Sequence, residues 1–313
     1  MLPLLTALFA LAQDEESIKT AVRRAIPLLE KSSAHYVEVK SCFGCHHQAI
    51  PLYALTTAKS RGFAVDEKNL KAQAKFTWDS LDGGKKAYAQ GRGQGGQVAT
   101  ASYALWTLDV AGWKPDGTTS EVARYVAGLE AWKPPSTRPP QEASVFTATA
   151  LSIRGLKAFG SGEHDARLAK AKEWLLKTKP ADTEDRVFRL FGLRYSGAET
   201  AEIAAAAADL AAAQREDGGW AQMEKMESDA YATGSALAAL HEAGGIKPAD
   251  EKYRRGVKFL LGAQKEDGSW HVATRSKPIQ KYFESAFPHG KDQFISISAT
   301  GWAVAALAHS LSR

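Results

Sequence analysis

The sequence predicts an all-α protein built from repeated helix hairpins, and three observations carry that prediction. Alanine-rich segments such as 204–208 and 211–213, with few period-two runs of Val, Ile and Thr, favour helix over strand. A turn sequence, Gln214-Arg215-Glu216-Asp217-Gly218-Gly219-Trp220, returns 50 positions later as Gln264-Lys265-Glu266-Asp267-Gly268-Ser269-Trp270. Each copy follows an apolar helical segment, 203–213 or 253–263, and precedes a second segment of small and apolar residues, 231–237 or 298–304.

The elements follow in order from that unit. First helices are expected to begin near Ser17, Asn69, Ser120, Asp165, Thr200 and Glu251, giving about six hairpins with the fourth short and degenerate. Second helices are marked upstream by Thr100-Ala101-Ser102-Tyr103-Ala104-Leu105 and Thr147-Ala148-Thr149-Ala150-Leu151, each trailed by a glycine stop at Gly112 or Gly160. Small residues at neighbouring positions let such helices approach closely, as an inner layer requires. In the two repeated turns Gly permits a tight backbone, Trp plugs the space between hairpins, and Gln can bond free backbone groups at a helix end.

The pattern Gln-x-x-x-Gly-x-Trp, at Gln214/Gly218/Trp220 and Gln264/Gly268/Trp270, resembles the repeat of squalene and oxidosqualene cyclases. With a count of about six units, the resemblance implies their α6/α6 toroid, a ring shared with protein prenyltransferase β subunits. It is specific in the last third of the chain and does not carry activity with it. Hopene-type cyclases hold their acid in an Asp-x-Asp-Asp run, which this sequence lacks. Prenyltransferase zinc chemistry needs Asp, Cys and His near inner-helix ends, whereas both cysteines here lie near the other end of the chain. Asp229 and Asp292 precede inner helices, where a carboxylate caps free amides or, at a toroid mouth, could face a substrate.

The chain has 313 residues and a formal net charge of +5, with Lys and Arg scattered among Asp and Glu, so nucleic-acid binding finds little support. Residues Leu2 to Ala12 are almost wholly apolar and give way to Gln13-Asp14-Glu15-Glu16, the layout of a secretory signal. The expected organisation is a signal over 1–12 and a single toroid domain over 13–313, placed in the periplasm or outside the cell. An apolar N-terminal helix that stays attached is the alternative. No later stretch reaches the length of a membrane span.

Ser41-Cys42-Phe43-Gly44-Cys45-His46-His47-Gln48 holds both cysteines, in the Cys-x-x-Cys-His spacing that marks covalent attachment of c-type haem. Two thiols three positions apart on a turn can form thioethers to two vinyl groups of one porphyrin, and the next residue offers an imidazole to the iron. By that resemblance Cys42 and Cys45 are attachment points and His46 the proximal ligand. Zinc held by Cys42, Cys45 and His46 or His47, or a Cys42–Cys45 disulfide, are the alternatives. The motif falls in the turn between the first unit's helices, so a haem would lie at a mouth of the ring.

Ring closure would bring the insert Trp270 to Gln293 beside the motif. That insert offers His289 as a distal haem ligand, and Lys281, Lys291 and Arg275 as partners for propionates. Met223 and Met226 are weaker ligand candidates, and His47 a neighbour of the ligand or of a propionate. Three functions stand side by side: electron transfer or redox sensing with a redox partner protein; a terpenoid cyclase-like enzyme for an apolar small molecule, its cavity lined by Trp78, Trp106, Tyr103, Tyr231 and Trp302; and a non-catalytic binding module.

Overall fold

The structure is a computed structural model that describes residues 2–135, 138–160, 162, 164–278 and 281–311, with side chains from residue 15 onward. Among them lie twelve α-helices and no strand: α1 (Leu2–Val39), α2 (Ile50–Ser60), α3 (Glu67–Ala89), α4 (Val98–Val110), α5 (Gly117–Gly128), α6 (Val145–Phe159), α7 (Asp165–Lys177), α8 (Thr183–Ser196), α9 (Thr200–Ala212), α10 (Ala230–Glu242), α11 (Glu251–Ala263) and α12 (Gln293–His309). The predicted starts at Asp165, Thr200 and Glu251 match, and the first helix begins earlier than Ser17. The fourth unit is not degenerate: α7 and α8 are full helices, and α8 is capped by Asp182, whose carboxylate accepts from the amide of Asp185. Its weak apolar signal comes from the charged outer face of α7, of which only Ala171 and Leu175 are buried.

Polar caps start most helices where the sequence places a short acceptor. Asp66, Asp116, Ser144, Asp229 and Asp250 each accept a hydrogen bond from an amide in the first turn of the helix that follows. The even-numbered helices form the inner ring. Each packs on the next, and α12 packs on α2 to close the circle. Inner helices are buried nearly all round, as residues 230–240 of α10 are, whereas outer helices bury one stripe. Close approach needs a missing Cβ at the seam. A Cβ on Gly301 of α12 would lie 2.7 Å from the Ile50 side chain of α2.

The two Gly-Trp turns show how neighbouring units are joined. Trp220 and Trp270 are fully buried, and their indoles donate to the carbonyls of Leu210 and Leu260 at 2.8 and 2.7 Å. Gln214 donates to Gly218 O and across to Lys252 O in α11; Gln264 donates to Gly268 O and across to Ala21 O in α1. Gly218 and Gly268 have φ of 87° and 90°, and a Cβ on either would meet the carbonyl of Arg255 or Arg24 at 2.7 Å. The contact that joins unit five to six is therefore repeated from unit six to unit one. No helix among the described residues is long and apolar enough to cross a membrane.

Candidate functional site

The Cys-x-x-Cys-His segment leaves the end of α1 and winds into α2 through a single π-helical turn, Cys45–Ala49. Gln48 pins it, its side-chain oxygen accepting from the amide of Gly44 at 2.8 Å and its amide reaching Gln73 of α3 at 3.4 Å. His46 and His47 are both buried. Their Nδ1 atoms hydrogen-bond each other, and Tyr36 stacks on His47 with ring centroids 4.8 Å apart. Burial, with the Arg138 guanidinium adding to it, lowers the His46 imidazole to about 3; burial and His46 itself hold His47 well below its ordinary value.

Cys42 and Cys45 are unbridged. Cys42 is exposed and neighbours Tyr36, whereas Cys45 is buried near the Glu142 carboxylate. Burial and the neighbouring Glu142 push the Cys45 thiol well above its usual range. Glu142 is itself paired with Arg138 at 2.6 Å.

His46 opens onto a cavity of about 480 Å³ between the motif, the 129–144 connection and the insert after Trp270. Phe294, Ile295, Pro139, Pro278 and Tyr282 supply an apolar wall, and Arg138, Lys277, Lys281 and Lys291 outnumber the one lining carboxylate, Glu142. A cavity of this size with an apolar body and a cationic rim suits an amphipathic anion. Because Nδ1 of His46 is engaged by His47, Nε2 is the nitrogen left for a ligand. The insert is seated on the motif side by Ser32, whose hydroxyl donates to Ser285 O at 2.7 Å, and by Lys40, 3.9 Å over the Phe283 ring.

The sequence-predicted residues divide between those gathered here and those held elsewhere. His46, Lys281 and Lys291 meet at the cavity. His289 is not on that wall: its Nε2 lies 2.7 Å from the Ser269 hydroxyl and its ring faces His271 at 4.7 Å, so the second Gly-Trp turn holds it away. Arg275 bonds the Gln222 side chain at 2.8 Å and the Met223 sulfur at 3.0 Å, and neither Met223 nor Met226 lines the cavity. Asp229 caps α10, while Asp292 holds the Thr274 amide and His271. Among the described residues no group of three or more Cys, His, Asp and Glu side chains is gathered to hold a metal ion, so Cys42, Cys45 and His46 form no ready zinc set.

Of the proposed aromatic lining, Trp106, Tyr103 and Trp302 lie buried on inner helices in a cluster with Tyr53 and Phe188, and Tyr231 is buried on α10, bonded to Glu184. Trp78 does not; it sits on outer helix α3, its indole donating to Asp116 at 2.8 Å. Sequence reading missed Arg138, Glu142 and Glu184. The first two sit in a connection whose only signal was its run of prolines, Pro134, Pro135, Pro139 and Pro140. Glu184, in the first turn of α8, is buried with Thr147 and Tyr231 donating to it at 2.9 and 3.1 Å, and burial raises its carboxyl to about 8.

No protein-family model matches the chain, and no curated protein matches it. Its likeness to solved structures is extensive in shape. The type II terpene cyclase MstE from Scytonema superposes with a TM-score of 0.59 at 14% identity, over 94% of this chain and 98% of that one. A variant of the same cyclase in complex with geranylgeranyl dihydroxybenzoate gives 0.61 at 13%, over 96% and 100%. A protein from Actinoplanes gives 0.58 at 12%, over 94% and 100%. At such identity the likeness establishes the α/α toroid of these cyclases as the fold of this chain.

Proposed function

We propose that this toroid carries a c-type haem at its mouth and works in electron transfer or redox sensing. The observation that supports the reading is His46: the histidine of the attachment motif is buried, has one nitrogen engaged, and borders a cavity with an apolar wall and a cationic rim. In this reading Cys42 and Cys45 would hold the group through two thioethers, each formed by addition of an S–H across a vinyl group with no oxidant required, and His46 would offer its free Nε2. Lys277, Lys281 and Lys291, which line the cavity, would pair with the group's propionates, and Phe294 and Ile295 would exclude water. A bound haem supplies a one-electron couple, tuned by what surrounds the iron. Export, with a signal over 1–12, belongs to the same proposal, because thioether attachment of this kind takes place outside the cytoplasm in c-type cytochromes.

A second reading, a terpenoid cyclase-like enzyme for an apolar small molecule, is supported by the toroid likeness and by Glu184. A carboxyl held near 8 stays protonated at neutral pH, and the aromatic faces beside it would suit a developing cation. The toroid likeness supports this second reading better than the first, which rests on the spacing of Cys42, Cys45 and His46 and on His46 at a cavity whose wall includes neither cysteine.

One measurement separates them. Protein exported from cells that carry the haem-ligation machinery should give a pyridine haemochrome spectrum and a denatured mass raised by one haem, both abolished by the joint change C42A and C45A. Colourless protein at the unmodified mass would defeat the haem reading and leave Glu184→Gln, assayed for turnover of prenylated carboxylates, as the test of the second.

A further inference from the structure

The His46–His47 pair does more than the attachment motif requires. The two rings stand nearly perpendicular, 82° apart with centroids at 4.6 Å, and present Nδ1 to Nδ1. Tyr36 stacks on His47, and Phe294 leans on His46 at 5.0 Å, so each ring is braced by an aromatic neighbour. Between two neutral imidazoles only one proton fits: one ring donates from Nδ1 and the other accepts with its lone pair.

The two arrangements have different consequences. When His47 donates, His46 carries its hydrogen on Nε2, towards the cavity. When His46 donates, its Nε2 is a bare lone pair, and His47 carries its own hydrogen on Nε2, a buried atom with no hydrogen-bond partner. Exchange between them conserves protons: His46 Nε2 and His47 Nδ1 lose what His46 Nδ1 and His47 Nε2 gain. An unpartnered buried N–H is unfavourable, so the second arrangement needs His46 Nε2 to be engaged.

We propose that His47 is the positioning residue of this site. It accepts the Nδ1 proton of His46 and so presents the His46 Nε2 lone pair to the cavity, a task that a carbonyl or carboxylate performs for most metal-bound histidines. Its effect at iron rests on the haem reading; the hydrogen bond itself does not. The π-helical turn suits this pair, because more residues per turn narrows the angle between consecutive side chains and lets both rings enter the same buried space.

The test has two stages. In ¹⁵N-labelled protein made without haem, scalar coupling across the hydrogen bond should connect Nδ1 of His46 to Nδ1 of His47; its absence overturns the proposal. In haem-loaded protein, His47→Phe keeps a ring against Tyr36 and removes the acceptor, whereas His47→Asn returns an amide near the place of Nδ1. H47F should raise the reduction potential and let added imidazole displace His46 at about tenfold lower concentration, with H47N close to wild type. Haem bound in H47F with potential and displacement unmoved would overturn the positioning role alone. A chain that acquires no haem defeats the function proposed above, and the axial role with it.

Discussion

The turn of the first unit and the Gly-Trp turns of the fifth and sixth occupy the same place between outer and inner helix, and they spend their side chains differently. Each Gly-Trp turn is closed chemically: its indole N–H meets a helix-end carbonyl, and its Gln amide bridges the turn to the next outer helix. The first turn keeps the bridge, with Gln48 reaching Gln73 of the next outer helix, but fills the plug position with His46 and His47. An indole has one polar atom and that atom is satisfied. Two imidazoles have four, and the turn leaves one beside a cavity and one buried without a partner. A repeat scaffold can therefore place a site by changing one turn while its neighbours hold the ring.

The sharpest way to break that contrast is to remove a plug. Trp270→Ala should cost about 3–5 kcal/mol in chemical denaturation, because a fully buried indole leaves a cavity at the seam that closes the ring. His46→Ala, in protein without haem, should cost roughly 1 kcal/mol. Equal losses would mean that the first turn is a plug like the others.

A smaller effect lies in pH. Burial holds His46 and His47 below their ordinary value of 6.5, so below that pH the unfolded chain binds protons the folded chain refuses. Their contribution is fully present above 6.5 and is lost as pH falls towards about 3. In protein without haem, H47N should reduce this acid loss by on the order of 1–2 kcal/mol, read from denaturation midpoints across that window. The Gly-Trp plugs carry no titratable group, and W270A should leave the pH slope unchanged.

The smallest expected effect sharpens the chemistry of the cavity. Lys281→Gln and Lys291→Gln should each weaken binding of added ferric protoporphyrin about two- to fivefold, and the difference should shrink with salt, since exposed lysines act through a screened field. No change at low salt would remove the rim from the argument.

Much of the fold is legible in particular residues. The repeated Gln-x-x-x-Gly-x-Trp turns fix the hairpin unit, and the small residues of α10 and α12 mark the inner ring. The spacing of Cys42, Cys45 and His46 drew attention to the first turn, and placing the insert beside it brought Lys281 and Lys291 to the same cavity as His46. His289 and Arg275 did not join the cavity, because hydrogen bonds to Ser269 and Gln222 hold them elsewhere and no local pattern encodes such partners. Arg138 and Glu142 were invisible for a related reason. They come from a proline-rich connection roughly a hundred residues from the motif, and only ring curvature brings them to Cys45 and His46.

The sequence by itself determined the helical repeat, the joining turns and the place of the Cys42–His46 segment in the first turn, because periodicity and glycine geometry act within a few residues. Tertiary structure decided which side chains meet across the ring: the closure of unit six on unit one, the cationic cavity, the His46–His47 bond and the buried acid at Glu184. Those depend on distances between segments far apart in the chain, and on burial that changes what a carboxyl or an imidazole will hold.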